Sequence, residues 1–419
     1  MKCSILAIGN EVVSGDIVNT NAVTIANYLK EFGIQTISHI AVPDLEEPIV
    51  KAIKRSLKEA DLVITTGGMG PTYDDITKQA AAKALNRKLV RDDYSVEILN
   101  LYFQKSGRDM PSGNLSQCFF PNGSQIIQNP NGTAPASITQ TPKGTLIMLP
   151  GPPIEVKALL ATEEFRDFFS QHKTEEIIET TLKFFGIGES HLEKLLADYM
   201  KEEKHIRLAP YAKTGEVHLK ITAKGKTKKE AQKRTDALKK NIDALAGQYL
   251  YTEGNDTIEE VLLKILKKYH LTVATAESCT GGMIGAALTA IPGSSESYLG
   301  GVITYSNELK QSLCGVKETT LETYGAVSQA TACEMAAGAR RRLGADIAIS
   351  VTGIAGPGGS SADKPVGLVY IGISSKDRTN AIRFHFMGTR EKVRQLTVKN
   401  ALHLAFMQAK NLGKEQSGN

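Results

Sequence analysis

Val273-Ala-Thr-Ala-Glu-Ser-Cys-Thr-Gly-Gly-Met-Ile-Gly285 joins two kinds of periodicity at one tight joint. The apolar run Leu271 to Ala276 reads as a buried strand, and Met283 to Ile291 reads as a packed helix. Between them stand Glu277, Ser278, Cys279, Thr280, Gly281 and Gly282. A serine on such a turn exposes its hydroxyl and faces the unpaired N–H groups of the helix start. Those groups can hold a phosphate or a developing oxyanion. The plain alternative is an ordinary glycine-rich turn with Thr280 as the helix N-cap.

The segment Thr304-Tyr-Ser-Asn-Glu-Leu-Lys310 tips the choice toward chemistry. A serine hydroxyl needs a base, and a partly desolvated lysine is neutral often enough to serve. We therefore expect Ser278 as acyl nucleophile and Lys310 as its base, with Tyr305 orienting or polarising an amide. Cys279 is the rival nucleophile. His270, His385 and His403 lie on apolar or mixed segments, where a packed or surface histidine is the usual case, so no histidine triad is expected.

Ala276-Glu-Ser-Cys-Thr-Gly-Gly282, Tyr305-Ser-Asn-Glu308 with Lys310, and Gly353-Ile-Ala-Gly-Pro-Gly-Gly359 resemble the C-terminal amidohydrolase domain of the CinA family, known as nicotinamide-nucleotide amidase. The resemblance implies hydrolysis of nicotinamide mononucleotide (NMN) to nicotinate mononucleotide and ammonia in pyridine-nucleotide salvage, with no cofactor at this site. It sets the substrate against Glu277, Thr280, Gly281, Gly282, Asn307, Thr352, Gly353, Gly356 and Gly358. It also implies an essential arginine near the C-terminus. Arg390 and Arg394 are i and i+4 on one helix face, and either can be that residue.

The 419 residues are too many for one ordinary core, so two or three domains are expected. Hydrophobic residues at 41% and charged ones at 23% indicate a soluble globular protein. A net charge of +5 does not argue for nucleic acid, although it suits anionic nucleotides. Five scattered cysteines without a CxxC pair point to a reducing compartment and no structural zinc. The opening Met1-Lys-Cys-Ser-Ile-Leu-Ala-Ile8 is short for a secretion signal and reads as a first strand. No apolar run approaches the roughly 20 residues that span a bilayer. A cytoplasmic protein without a membrane partner is expected.

Residues 1–170 alternate short apolar strands with helical stretches, the pattern of a parallel α/β sheet. Leu62 to Thr66 is a buried strand that runs into Gly67-Gly-Met-Gly-Pro-Thr-Tyr-Asp-Asp-Ile-Thr77. Ligands of open α/β sheets sit beyond the carboxyl ends of strands, which makes this loop a pocket wall. Gly67, Gly68 and Gly70 let backbone approach phosphate, Thr72 and Thr77 can cap the helix or touch it, and Asp74 with Asp75 can hold a hard cation. A helix start with acidic residues is the plain alternative. This loop, with Gly9-Asn-Glu-Val-Val-Ser-Gly-Asp-Ile-Val-Asn-Thr-Asn21, resembles the MoaB/MogA-type molybdopterin-binding domain, in which Glu11, Asp16, Asn19, Asp74 and Asp75 fall on motif positions. Within the CinA family that domain implies an ADP-ribose pyrophosphatase using a divalent metal, magnesium or cobalt, held by Asp74, Asp75 and Glu11 or Asp16. Asn129 to Pro135 and Leu149 to Glu155 match the same version of the domain and are expected as site walls.

Residues 171–253 read β-α-β-β-α-β, a split-βαβ order that resembles a KH-type domain. Gly186-Ile-Gly188 does not supply the GXXG loop that binds nucleic acid, so a spacer or homodimer contact is expected. Residues 254–412 form the third domain, and Gly413 to Asn419 reads as a disordered tail. Thr66-Gly-Gly-Met-Gly-Pro71 and Thr352-Gly-Ile-Ala-Gly-Pro357 share the spacing T-G-x-x-G-P, as if two nucleotide sites used a similar strand-end loop. The competing overall reading is a pterin- or nucleotide-binding adaptor without turnover, linked to competence or DNA damage. Ser278, Tyr305 and Lys310 together favour an enzyme, because a scaffold needs none of them.

Overall fold

The computed structural model describes residues 1–173, 175–201 and 205–416. Two compact units emerge, Met1–Ile178 with Ala223–Lys233, and Glu179–Thr222 with Arg234–Asn419. The first holds a six-stranded sheet in the order Gln35–Val42, Lys2–Ile8, Leu62–Thr66, Gly144–Leu149, Ala136–Thr141, Gln125–Ile127. Leu62–Thr66 is buried at every position, as a strand covered on both faces requires. The helix Glu46–Glu59 buries Ile49, Val50, Ile53 and Leu57, a stripe at helical spacing.

The expected parallel sheet has an antiparallel edge. The first four strands are parallel, but Ala136–Thr141 and Gln125–Ile127 are added antiparallel. Only Pro142 and Lys143 separate Ala136–Thr141 from Gly144–Leu149. Two residues close a hairpin, whereas a parallel return needs a crossover of about a dozen or more.

A four-stranded sheet, most of it in the second unit, runs in the order Ile206–Lys213, Glu216–Gly225, Glu176–Phe185, Leu250–Glu253. Phe185 and Tyr251 of that sheet belong to the same buried cluster as Ile258, Leu262, Leu266 and Leu402. The middle and C-terminal segments therefore share apolar core. His403 stacks on Phe185 with ring centroids 4.1 Å apart and planes 13° apart. Burial there pushes the imidazole down to about 4.

The C-terminal sheet runs Tyr298–Ile303, Val273–Glu277, Ile347–Gly353, Leu368–Ser374, Thr379–His385. Its first three strands are parallel and the last two antiparallel. The helix Gln329–Leu343 and the long helix Arg390–Gln416 pack on it. That last helix includes Gly413 to Gln416, which corrects the expected disordered tail there; the rest of that expectation, 417–419, lies outside the described residues. A side chain at Gly413 would run into the ring of Tyr269 at 2.2 Å, so the helix end is docked.

The turn after Val273–Glu277 differs from the expectation of an exposed serine. Ser278 is buried, with 8% of its surface exposed. The plain alternative, with Thr280 as the N-cap, does not hold either; that position is Gly282, in the left-handed region at φ 98°. The capping group is Glu277, whose buried carboxylate accepts from the Thr280 hydroxyl at 2.7 Å and from the amides of Gly282, Ile284 and Gly285 at 2.9, 3.1 and 2.9 Å. Charge-assisted bonds of this kind are the strong class.

Two outcomes follow. Glu277→Ala strands four donors, two buried and two part-buried, and should lower the stability of the second unit by about 3 kcal/mol, read as the urea midpoint; an unchanged midpoint would contradict the capping role. For His403 the folded value lies below the free histidine value, so its contribution is complete above about pH 6.5 and is lost as pH falls toward 4. The loss amounts to at most about 3 kcal/mol. His403→Phe should remove this acid-side loss in urea melts between pH 7 and pH 4, and an identical slope in both proteins would refute it.

Candidate active site

Ser278, Cys279, Tyr305, Asn307, Lys310, Ala326, Val327, Thr352, Gly353, Ala355 and Arg390 line one pocket of ≈ 210 Å³ at the carboxyl ends of the parallel strands. Lys310 enters it from the helix Asn307–Cys314, whose first turn is capped by Ser306 accepting from the Leu309 amide. Its ammonium is buried and donates to Ser278 Oγ at 3.3 Å and to the Thr304 carbonyl at 2.9 Å. Burial lowers the Lys310 pKa from the usual lysine range. The Glu308 charge opposes that effect only in part, and among the described residues no carboxylate is hydrogen-bonded to Lys310, so the neutral amine is accessible.

Cys279 is less suited to attack. Its thiol is buried, and burial pushes it up to about 12, far from the thiolate that reacts. The Ser278 amide is committed to the Val351 carbonyl at 3.0 Å and so is not offered to a ligand.

The two arginines separate cleanly. Arg390 is exposed and lines the pocket, donating to the Gly356 carbonyl at 2.9 Å and the Tyr305 hydroxyl at 3.3 Å. Arg394 faces the turn instead and donates to the carbonyls of Cys279 and Thr280 at 3.1 and 2.7 Å. It braces the segment carrying Ser278 and does not line the pocket.

Several residues expected at the substrate are committed elsewhere. Glu277 and the Thr280 hydroxyl are bound to each other, and the Gly282 amide donates to Glu277, so the helix start does not offer the expected phosphate cradle. Gly281 lies outside the pocket lining and forms the turn at φ 60°. The Thr352 hydroxyl donates to the Ala326 carbonyl at 2.7 Å. Gly353 lines the pocket, and a side chain there would strike Leu368 O at 2.7 Å. Gly356 contributes its carbonyl to Arg390, and Gly358 faces open space. Asn307 is exposed at the pocket rim. Ala326 and Val327, also in the lining, carry no chemical signature by which sequence could find them.

The first unit has its own cleft, of ≈ 450 Å³, lined among others by Glu11, Asn19, Asn21, Asp44, Gly67, Gly68, Gly70, Thr72, Asp74, Asp75 and Glu155. The glycine loop is tightly built. A side chain on Gly67 would meet Ile8 O at 2.0 Å, and one on Gly68 would meet the Thr77 hydroxyl at 2.2 Å. Thr77 is buried and donates to Gly67 O at 2.9 Å, so it ties the loop down and does not face a ligand. Asn19 caps the helix Thr20–Glu31 by accepting from Ala22 N at 3.0 Å. Glu155 accepts from Asn129 Nδ2 at 2.6 Å, and burial raises its pKa.

The carboxylates do not form the expected cation cage. Asp75 accepts from the Thr72 amide at 2.8 Å, Asp74 and Asp75 both face the Thr72 hydroxyl, and Asp16 accepts from Ser14 Oγ at 2.6 Å without lining the cleft. Among the described residues no group of three or more His, Cys, Asp or Glu is placed to hold a metal ion. Asp44, which sequence reading missed, joins Glu11, Asp74 and Asp75 in the lining; burial raises its pKa and those three carboxylates add to the rise. The T-G-x-x-G-P echo is one of spacing and not of shape. Gly67 and Gly68 take positive φ in the first loop, whereas Gly356 and Gly359 do so in the second.

Three family models match the chain: CinA C-terminal domain over residues 255–408, Probable molybdopterin binding domain over 4–165, and Damage-inducible protein CinA KH domain over 179–252. A Clostridium perfringens protein with the provisional name competence-damage inducible protein is 44% identical over 403 residues, covering 96% of this chain and 97% of its own. A CinA-like protein of Dictyoglomus turgidum is 39% identical over 404 residues, covering 96% and 98%. Among solved structures, the competence/damage inducible protein CihA of Agrobacterium tumefaciens is 42% identical and covers 37% of this chain and 97% of its own, with a TM-score of 0.35. Among the described residues no helix is long and apolar enough to cross a membrane. Similar along nearly its whole length to these relatives, the chain belongs to the CinA family.

Proposed function

We propose that the C-terminal pocket hydrolyses the carboxamide of NMN, giving nicotinate mononucleotide and ammonia. The observation that carries this reading is the buried Lys310 amine 3.3 Å from Ser278 Oγ. Ser278 Oγ attacks the amide carbon as neutral Lys310 takes the hydroxyl proton. The C–N bond then breaks, and Lys310 returns that proton to the departing nitrogen, which leaves as ammonia. A water molecule attacks the resulting ester as Lys310 accepts its proton; the acyl C–Oγ bond then breaks, Lys310 returns that proton to Ser278 Oγ, and the acid product leaves, ionised to its carboxylate in water.

Tyr305, exposed at the pocket edge and held by Arg390, is suited to orient the carboxamide. Arg390 is the cation available to a substrate phosphate, because the helix start is occupied by Glu277 and Arg394 by backbone carbonyls. A guanidinium grips phosphate through two parallel bonds. The N-terminal cleft is read as a nucleotide site whose carboxylates act as acceptors; no metal-dependent step is assigned to them. The adaptor reading is weaker, since a scaffold does not need a desolvated lysine beside a serine.

Ser278→Ala should lower kcat for ammonia release by several orders of magnitude, whereas Cys279→Ala should keep most activity; the reverse pattern would make Cys279 the nucleophile. With a lowered Lys310 pKa, the rising limb of kcat/KM against pH should fall below the range of free lysine, and a limb at free-lysine pH would exclude Lys310 as the base. Arg390→Ala should lower kcat/KM for NMN on the order of tenfold or more beyond its effect on nicotinamide riboside, the loss of one charge-assisted contact. Equal losses on the two substrates would remove Arg390 from the phosphate.

A further inference from the structure

We propose that a second cavity of the first unit is a base-binding site, in which Gln128 recognises the exocyclic amine of an aminopurine and Tyr102 stacks on its ring. This goes beyond the nucleotide reading of the adjoining cleft and does not depend on it. The cavity, of ≈ 420 Å³, is lined by the helix Asp93–Ser106 on one side and the loop 128–135 on the other. It meets the cleft at Thr133, which lines both.

The helix wall is apolar and aromatic. Ile98, Leu101, Tyr102 and Lys105 recur at helical spacing and so share one face. Leu101 and Tyr102 are 42% and 50% exposed. An apolar wall bearing an aromatic ring, in a concavity within the range of small-molecule sites, suits a flat ligand. Ile98 and Tyr102 stand about 6 Å apart along the helix axis, a span that a two-ring base covers. Any base stacks on such a ring, so selectivity has to come from a polar group on the opposite wall.

Gln128 supplies that group, and its neighbours fix which atom it presents. Asp92 caps the helix by accepting from the Ser95 amide at 2.8 Å, and it also accepts the single proton of the Ser95 hydroxyl, at 2.5 Å. Ser95 Oγ can then only accept, so the Gln128 atom 2.9 Å from it must be the NH2 group. The amide cannot flip, and Oε1 is held as an acceptor. Among the described residues that oxygen accepts no hydrogen bond, and it is not one of the enclosed, unpartnered atoms such as Asn21 Oδ1. Solvent therefore reaches it, and so can a ligand donor. Asn129 cannot share the task. Its oxygen accepts from the Asn131 amide at 3.0 Å, and its NH2 donates to Ala134 O at 3.0 Å and to Glu155 at 2.6 Å. An unsubstituted ring nitrogen of a purine is itself an acceptor and gives Gln128 Oε1 nothing, whereas an exocyclic amine donates in the plane of the ring.

The test is calorimetric titration of the full-length protein, Gln128→Leu and Tyr102→Ala with adenosine, with purine riboside, which lacks only the exocyclic amine, and with ADP-ribose. On the unaltered protein adenosine should bind more tightly than purine riboside by on the order of tenfold or more, the effect of leaving one polar group unmet. On Gln128→Leu the two should bind alike. Tyr102→Ala should weaken both equally, by on the order of tenfold, since stacking does not read the amine. A merely structural Gln128 would weaken both nucleosides and keep the difference between them. If Gln128→Leu does not fold, judged by its melting curve, Gln128→Met is used in its place. Tighter binding of ADP-ribose than of adenosine, with the same response to both substitutions, makes the cavity the base end of a nucleotide that continues into the cleft. Equal or weaker binding of ADP-ribose makes it a self-contained nucleoside site. Binding of ADP-ribose that neither substitution changes overturns the base site and leaves the nucleotide reading of the cleft standing. Absence of binding by all three ligands, or equal affinity for adenosine and purine riboside on the unaltered protein, overturns the proposal.

Discussion

A single buried carboxylate organises the candidate active site. Glu277 ends the strand Val273–Glu277 and gathers one hydroxyl and three amides from the turn and helix that follow. Without it the turn would bury donors with no acceptor, a cost no marginally stable domain readily absorbs. With it, the backbone around Ser278 is held from inside, while Arg394 grips the carbonyls of Cys279 and Thr280 from the other side. The serine is thus fixed between an anion and a cation that never enter the pocket. The same arrangement removes the helix start as an anion site, which leaves recognition of negative charge to side chains such as Arg390.

Each unit also contains a lysine buried almost completely against backbone carbonyls. Lys310 donates to Thr304 O and reaches Ser278. Lys78 is 1% exposed, donates to Ser116 O at 2.8 Å and lies 5.7 Å from the centre of the Phe120 ring. Burial is the main cause of a lowered pKa in both, to about 8 for Lys78. Their surroundings separate their roles. Lys310 has a hydroxyl within reach in an open pocket, whereas Lys78 is enclosed beneath the glycine loop and joins it to the segment Ser112–Cys118. Desolvation makes a lysine available as a base, and access to a reacting group makes it useful as one.

The two T-G-x-x-G-P loops carry a related lesson. In both, the threonine hydroxyl is committed to a carbonyl from another part of the chain, Thr66 to Pro150 and Thr352 to Ala326. Equal spacing reproduced the tether but not the loop conformation, because different glycines take the left-handed region. In the N-terminal cleft this tether has a second effect. By using its proton on Pro150, the Thr66 hydroxyl becomes an acceptor for Asn21 and thereby sets the orientation of that amide.

Much was legible in the amino-acid order alone. Apolar runs bounded by glycine located the strands, and the juxtaposition of Ser278 with Lys310 named the two groups that meet at 3.3 Å. These signals are local, set by backbone period and by the chemistry of short segments. What sequence could not decide was where each polar atom directs its hydrogen bonds. Glu277, Thr280 and Arg394 looked as available to a substrate as Arg390. Only tertiary structure separates them, because a donor or acceptor is open to a ligand only after burial has forced the others to pair within the protein. The antiparallel end of the N-terminal sheet and the apolar core that Phe185 and Tyr251 share with the C-terminal helices were likewise decided by packing between segments far apart in the chain.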